Sequence, residues 1–296
     1  MAVTIRFTKM HGAGNDFVMI DDRDERIPTD DPAFLARLAN RPDGVGCEGV
    51  ILVRPARQEC LAPVAAASNG EATSRSLEQE STAIPTSVDF TMRFFNPDGS
   101  EAELCGNGAR CVAAFAYAIG AAKAKTMRFA TLAGEIAAEV LDDGRVRLAM
   151  PQPKDLRKDF VNSGVPHAIV PVADLAAVDV LSEGRRLRDS EAFAPAGTNV
   201  DFVQWTGPQA LSIRTYERGV EAETFACGTG SVAAALVGVA QYALAFPVVV
   251  TTVRGDRLEI GGAWDGEAFS GVTLTGPVKT VFSGELEIVS DGSVSR

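Results

Sequence analysis

The sequence predicts an α+β protein of two similar lobes, and three features carry that prediction. A cysteine-led glycine turn occurs twice, as Cys105-Gly106-Asn107-Gly108 and as Cys227-Gly228-Thr229-Gly230. Each runs into small apolar residues of the kind that form a buried helix, and such an internal echo suggests a duplicated unit. The approach to each turn echoes too, since Glu101-Ala102-Glu103 precedes the first and Glu221-Ala222-Glu223 the second. Many short segments alternate apolar and polar residues around both turns, as half-buried strands do. Pro151 and Pro153 punctuate the chain between the halves.

Taken in order, residues 3–7 read as a strand leading into His11-Gly12-Ala13-Gly14-Asn15-Asp16-Phe17, a tight loop before a second apolar run at 18–20. Residues 31–40 have helical spacing with a proline near the start. The loop Gly44-Val45-Gly46-Cys47-Glu48-Gly49 then enters a strand at 50–53, with Cys47 a structural thiol. Residues 54–87 are rich in Ala, Ser, Glu and Thr without periodicity and read as a mobile surface insertion, with Cys60 a bystander. A strand at 89–95 delivers the turn Asn96-Pro97-Asp98-Gly99-Ser100 just ahead of the first cysteine. Strands follow at 126–131, 135–140 and 145–149.

The second half repeats the plan. Residues 160–161 lead to Asn162-Ser163-Gly164-Val165-Pro166-His167, then to Gly197-Thr198-Asn199-Val200-Asp201 and a strand at 211–216. Glu217-Arg218-Gly219 turns toward the second cysteine. The apolar run 232–250 contains Gln241 and Pro247 and follows a glycine turn, so it reads as a buried helix entering a strand and not as a membrane span. Short strands at 258–260, 271–275 and 278–282 complete the chain.

Composition narrows the function classes. The 296 residues are 46% hydrophobic and 23% charged, ample for true cores. With Lys+Arg 28 against Asp+Glu 39, the net charge of -11 argues against a nucleic-acid or anionic-membrane surface. Five cysteines without a secretory start fit free thiols in a reducing cytoplasm. Two histidines and no Cys-x-x-Cys pair argue against a dedicated zinc site. Neither glycine turn completes a dinucleotide fingerprint or a P-loop.

The chemistry lies in the paired turns. Glycines admit close approach of a ligand, and free amides at a helix start favour an anion such as a carboxylate. The same position is expected to lower the pKa of a cysteine toward a reactive thiolate. Two such turns face to face hold one carboxylate with a sulfur on either side, an arrangement suited to moving a proton at the adjacent carbon. Taken singly, either turn reads as a helix cap with a small buried cysteine.

Together the motifs closely resemble the diaminopimelate epimerases. They are His11-Gly-Ala-Gly-Asn-Asp-Phe17, Phe95-Asn-Pro-Asp-Gly-Ser100, Leu104-Cys-Gly-Asn-Gly-Ala-Arg110, Gly197-Thr-Asn-Val200, Glu217-Arg-Gly219 and Ala226-Cys-Gly-Thr-Gly230. The resemblance covers nearly the whole chain outside 54–87. It implies two pseudo-symmetric lobes, each a curved, barrel-like mixed or antiparallel sheet around a central helix, with the substrate between them. Residues 1–150, completed by 274–296, then form one lobe and 151–273 the other. It implies a cofactor-independent enzyme, a homodimer, that converts LL-2,6-diaminopimelate to the meso form for lysine and peptidoglycan synthesis.

By the same resemblance Cys105 and Cys227 are the catalytic acid and base, and His167 and Glu217 tune them. Asn15, Asn96, Asn199, Glu217 and Arg218 bind substrate, while Gly106, Asn107, Gly228 and Thr229 supply the amides that hold its carboxylate. No metal is implied. Two departures bear on the substrate: Val165 stands where many members carry Asn, and Glu48-Gly49 where some carry Asp-Gln. A racemase of the same fold acting on another amino acid is therefore a second reading. A thiol-redox or ligand-binding protein with a switchable Cys105–Cys227 disulfide is a third.

Overall fold

The computed structural model describes residues 2–56, 88–289 and 294–295. Most of the expected insertion, from residue 57 on, and Cys60 with it, lie outside the described residues.

The first half of the chain runs β1 (Ala2–Gly12), β2 (Asn15–Asp21), α1 (Pro32–Ala39), β3 (Val50–Arg54), β4 (Phe90–Phe95), β5 (Glu101–Ala102), α2 (Gly106–Ala118), β6 (Thr126–Thr131), β7 (Gly134–Val140) and β8 (Val146–Ala149). The second runs β9 (Lys154–Arg157), β10 (Phe160–Asn162), β11 (Pro166–Pro171), α3 (Val180–Arg188), β12 (Asn199–Gly207), β13 (Ala210–Glu217), β14 (Ala222–Thr224), α4 (Gly228–Gln241), β15 (Val248–Thr251), β16 (Arg257–Trp264) and β17 (Phe269–Gly276). β18 (Lys279–Val289) and β19 (Val294–Ser295) close it.

The pairings show the duplication directly. From β1 to β8 the ladder is antiparallel β1–β2, parallel β2–β3, antiparallel β3–β4, parallel β4–β6, then antiparallel β6–β7 and β7–β8. From β10 to β17 the same order of hands recurs through β11, β12, β13, β15 and β16. The halves join where β8 pairs antiparallel with β17, Leu148 opposite Leu274. The chain then crosses over twice. β9, which follows β8, pairs with β10 in the second half, and β18, which follows β17, pairs with β1 in the first.

Each half encloses one helix. α2 buries nine of its 13 residues and α4 ten of its 14, so both are apolar nearly all round and lie inside the sheet rather than on it. α2 packs with Phe17, Ile51, Phe90 and Phe129, and α4 with Val203, Ile213, Val250 and Ile260. Small residues such as Ala233, Ala234 and Ala235 let strands come close around the helix. This is the two-lobe α+β arrangement expected from the repeated turn.

Several elements run longer than their sequence signals. β1 extends to Gly12, and only Ala13 and Gly14, with φ of 55° and 102°, connect it to β2. Two successive positive φ values are what a two-residue hairpin needs. α1 begins at Pro32 behind an Asp31 side chain that accepts from the Phe34 amide at 3.0 Å. α3 was not expected, because it is short, carries three arginines, and buries only Val180 and Gly184.

Candidate active site

The two cysteine turns are built alike. β4 ends at the 96–100 turn and returns as the short strand β5, which leads to Cys105 at the N-cap of α2. β13 ends at Glu217, turns through Arg218 and Gly219, and returns as β14, which leads to Cys227 at the N-cap of α4. Both cysteines have extended backbones, with φ/ψ of -126°/122° and -105°/114°. Their helices start face to face: a Cβ placed on Gly228 would lie 3.7 Å from the Gly106 Cα. A Cβ at either glycine would thus touch the opposite helix start.

Between them opens a cleft of about 650 Å³. Cys105, Gly106 and Asn107 line one wall, and Cys227, Gly228 and Thr229 the other. Asn15, Glu48, Asn96, Asn199, Glu217 and Arg218 also line it, and Val165, Val220 and Phe225 supply apolar surface. Of the residues picked out in the sequence, His167 alone stays off the wall, wholly buried behind Thr229.

Cys227 ends a buried relay. Its Sγ accepts from the Gly230 amide at 3.4 Å and lies 3.4 Å from Thr229 Oγ1. Thr229 Oγ1 is 3.0 Å from His167 Nε2, and His167 Nδ1 is 2.7 Å from Asp201 Oδ2. Asp201 Oδ1 accepts from the Thr215 hydroxyl at 2.6 Å. His167 and Asp201 are fully buried, so the imidazole is held in one orientation.

The Cys105 side has a different environment. Asn107 Nδ2 donates to Asn15 Oδ1 and, at 3.0 Å, to the Ala226 carbonyl just before Cys227. Asn15 in turn donates to Glu48 Oε2 at 2.7 Å. Glu48 thus brings a carboxylate to the cleft from the loop that enters β3. Arg110 donates to Asn107 Oδ1 at 2.7 Å and to the Gly106 carbonyl at 3.3 Å.

Asn199 and Arg218 are anchored to backbone groups. Asn199 donates to the Pro166 carbonyl at 3.1 Å and accepts from the Arg218 amide at 2.8 Å. Arg218 Nη1 donates to the Ala196 carbonyl at 3.1 Å, and Asn96 Nδ2 to Ser100 Oγ at 3.1 Å.

The thiols correct one expectation. Helix-start amides were expected to lower both cysteine pKa values, yet both are raised. Burial is the chief cause for Cys105, outweighing the Gly108 and Asn107 amides and Arg110, with the Glu217 carboxylate adding to it. Cys227 is pushed further, well above the ordinary thiol value, by burial and then by Glu217 and Asp201. Loss of hydration disfavours a thiolate more than a few partial charges restore it. Burial also pushes the Glu217 carboxyl up. The two sulfurs are free, with no disulfide between them.

Comparison with known proteins shows the family. The sequence profile described as Diaminopimelate epimerase matches residues 79–154 and 160–281. The diaminopimelate epimerase of Aquifex aeolicus (strain VF5) is 40% identical over 304 residues, covering 95% of this chain and 98% of that protein. That of Hydrogenobaculum sp. (strain Y04AAS1) is 38% identical, covering 94% and 97%. The chain belongs to the diaminopimelate epimerase family. It is accordingly an isomerase, an amino acid epimerase.

Among solved structures, a Bacillus anthracis phenazine biosynthesis protein of the PhzF family superposes with a TM-score of 0.65 at 14% identity, covering 97% of this chain and 99% of that one. A hydroxyproline epimerase from Agrobacterium vitis, solved with trans-4-OH-L-proline, gives 0.63 at 16%, covering 98% and 94%. At such identities the likeness is one of fold. Asp201 and Arg110 were given no role in the sequence reading, and Glu48 entered it only as a departure from the family pattern. Asp201 had one usable signal, a carboxylate among the apolar residues Val200, Phe202 and Val203.

Proposed function

We propose that this epimerase converts LL-2,6-diaminopimelate to meso-diaminopimelate without pyridoxal phosphate, by a two-base thiol/thiolate mechanism, in lysine and peptidoglycan synthesis. The observation that carries the reading is the pair of cysteine-capped helix starts opposed across one cleft. The substrate carboxylate lies between the two helix ends, where the amides of the Asn107 and Thr229 turns face it. One sulfur, as thiolate, takes the α-proton. The electron pair passes into the carboxylate, whose added charge those amides stabilise. The other sulfur, as thiol, delivers its own proton to the opposite face of the same carbon. The centre is inverted, the proton count is unchanged, and the roles of the sulfurs have exchanged.

Arg218, Asn199 and Asn96 hold the distal carboxylate and amine, while Asn15 and Glu48 face a substrate ammonium. His167 and Glu217 set the protonation of the pair, His167 through the Thr229 hydroxyl. The lobes are assigned as 1–150 with 274–296 against 151–273; since β17 runs unbroken to Gly276, the return itself spans Pro277 and Val278. A homodimer in the cytoplasm belongs to the same proposal, checked by sedimentation and cell fractionation. Among the described residues no helix is long and apolar enough to cross a membrane.

The test is an isomer-resolved assay on LL-diaminopimelate in deuterated water. Label should enter the α-carbon as the meso isomer forms, and Cys105→Ala and Cys227→Ala should each abolish turnover while circular dichroism is unchanged. Retained turnover in either variant removes the two-base mechanism. Val165, 36% exposed in the cleft, supports a second reading as a racemase of another amino acid. Faster turnover of a one-centre amino acid in a substrate panel would decide for it.

A further inference from the structure

The turn that follows Glu217 and carries Arg218 has little strand pairing to hold it. Glu217 ends the β13 ladder opposite Ala222, so Arg218, Gly219, Val220 and Glu221 lie beyond the last strand pair. Glu221 closes the turn: its amide donates to the Glu217 carbonyl at 2.8 Å, and its backbone is left-handed, with φ of 58°. A residue with a Cβ resists that conformation, which persists only where the surroundings fix it.

The carboxylate does the fixing. Glu221 Oε1 accepts from the Gly219 amide at 2.9 Å and pairs with Arg188 Nη2 at 2.9 Å, while Oε2 accepts from the Tyr216 hydroxyl at 3.1 Å. The Gly219 amide first, then Tyr216 and Arg188, hold this carboxyl below its usual range, so it is an ionised acceptor at neutral pH. Three elements thus meet at one side chain: the turn, β13 and the last residue of α3. β13 and α3 are locked together at this point, since Tyr216 is fully buried and a Cβ on Gly184 would lie 2.4 Å from the Tyr216 Cβ.

Arg188 also touches the other side of the clamp. Arg218 Nη1 donates to the Ala196 carbonyl at 3.1 Å and to the Gly197 carbonyl at 3.4 Å, and a Cβ on Gly197 would lie 3.2 Å from Arg188 Nη1. Arg188 therefore stands between the segment that holds the Arg218 guanidinium and the carboxylate that closes the Arg218 turn. Both members of the Arg188–Glu221 pair are partly exposed, and such pairs add little to stability. Its effect is one of placement.

We propose that Glu221, tied to Arg188 of α3, is a positioning residue for Arg218, holding the 218–221 turn where it grips the distal end of the substrate. α3 lines no part of the cleft, and presenting Arg188 is its contribution to the site. The inference rests on the assignment of Arg218 to the distal carboxylate and amine.

The test compares Glu221→Gly, Arg188→Met and Arg188→Lys with wild type. Arg186→Met is the control, since Arg186 lies on α3 and pairs with Glu183 instead. Glycine suits a φ of 58°, so it replaces a mere turn residue without harm to binding. The expected result is instead a KM for LL-diaminopimelate raised roughly five- to tenfold in Glu221→Gly and Arg188→Met, with kcat within about twofold of wild type. Arg188→Lys should recover much of the loss, and Arg186→Met should match wild type. In the ligand-free full chain, amide hydrogen exchange across 218–221 should quicken in the first two variants while that of α4 does not. An unchanged KM in both, unchanged exchange, or a kcat loss as large as the KM change overturns the proposal. If Glu221→Gly does not fold, the two Arg188 variants decide it. Exchange needs no substrate, so the two readings separate: absence of turnover in wild type sinks the substrate reading, and exchange across 218–221 then decides the role of Glu221 alone.

Discussion

Asp201 has both carboxylate oxygens engaged, one by His167 and one by Thr215, and it reaches Cys227 only through His167 and Thr229. Asp201→Asn keeps the volume but offers an amide where the imidazole needs an acceptor, so the tautomer presented to Thr229 changes. The expected result is a kcat lower by roughly 10–100-fold with KM nearly unchanged, together with a displaced kcat–pH profile that a purely structural defect would not produce. Cys111 makes a stability prediction at the same scale. It is fully buried next to Arg110, and desolvation pushes its thiol up to about 12. The unfolded thiol ionises near ~8.5, so the folded state holds the proton more tightly. That contribution is complete below the unfolded value and is lost as pH rises from there toward about 12. Cys111→Ala should lose some stability at neutral pH from the lost packing, yet show a shallower fall of Tm above the unfolded pKa, measured by thermal melts against pH.

The helix starts make the corresponding prediction for elements. Gly230→Ala would drive a Cβ to 2.5 Å from Asp201 Oδ1, and Asp201 cannot swing away because His167 and Thr215 pin it. A loss of about 1–3 kcal/mol is expected, read from the denaturant midpoint, with turnover falling further than at Asp201→Asn. α2 and α4 were legible because a cysteine, two glycines and a run of small residues form an uncommon local string, and it occurs twice. α1 was legible from Asp31 and Pro32. α3 was not, because its burial is confined to Val180 and Gly184; Gly184 lets the helix lie against Tyr216, a contact with no trace in local hydropathy. Asp201 and Arg110 escaped for a related reason: their partners lie on other elements or depend on a fold-back of the side chain, so only the tertiary structure reveals their burial. The cysteine pKa direction was misjudged because helix-end charge can be read from a sequence and desolvation cannot.

At the scale of the whole molecule, the strand order itself had little sequence signal. The antiparallel neighbours are mostly adjacent in the chain, but the parallel pairs β2–β3, β4–β6, β11–β12 and β13–β15 and the antiparallel pairs β8–β17 and β1–β18 are long-range. They bring Leu274 to the seam. It lies on β17 between Leu148 and Ile260, is fully buried, and its Cδ2 would be 3.8 Å from a Cβ on Gly106 and 3.3 Å from one on Gly228. One side chain thus lies against both helix starts. Leu274→Ala is expected to cost about 2–5 kcal/mol, as buried leucine truncations do. Leu236→Ala, in the α4 core and away from the cleft walls, should cost a similar amount and serves as the control. The two should differ in catalysis. With the shared support gone, the opposed helix ends lose their fixed spacing, and kcat should fall by roughly tenfold or more in Leu274→Ala, since small misplacements of reacting groups are costly. Leu236→Ala should retain kcat under conditions where both variants are fully folded. Equal kcat in the two would show that the seam residue contributes packing alone, and that the spacing of the helix starts is set elsewhere.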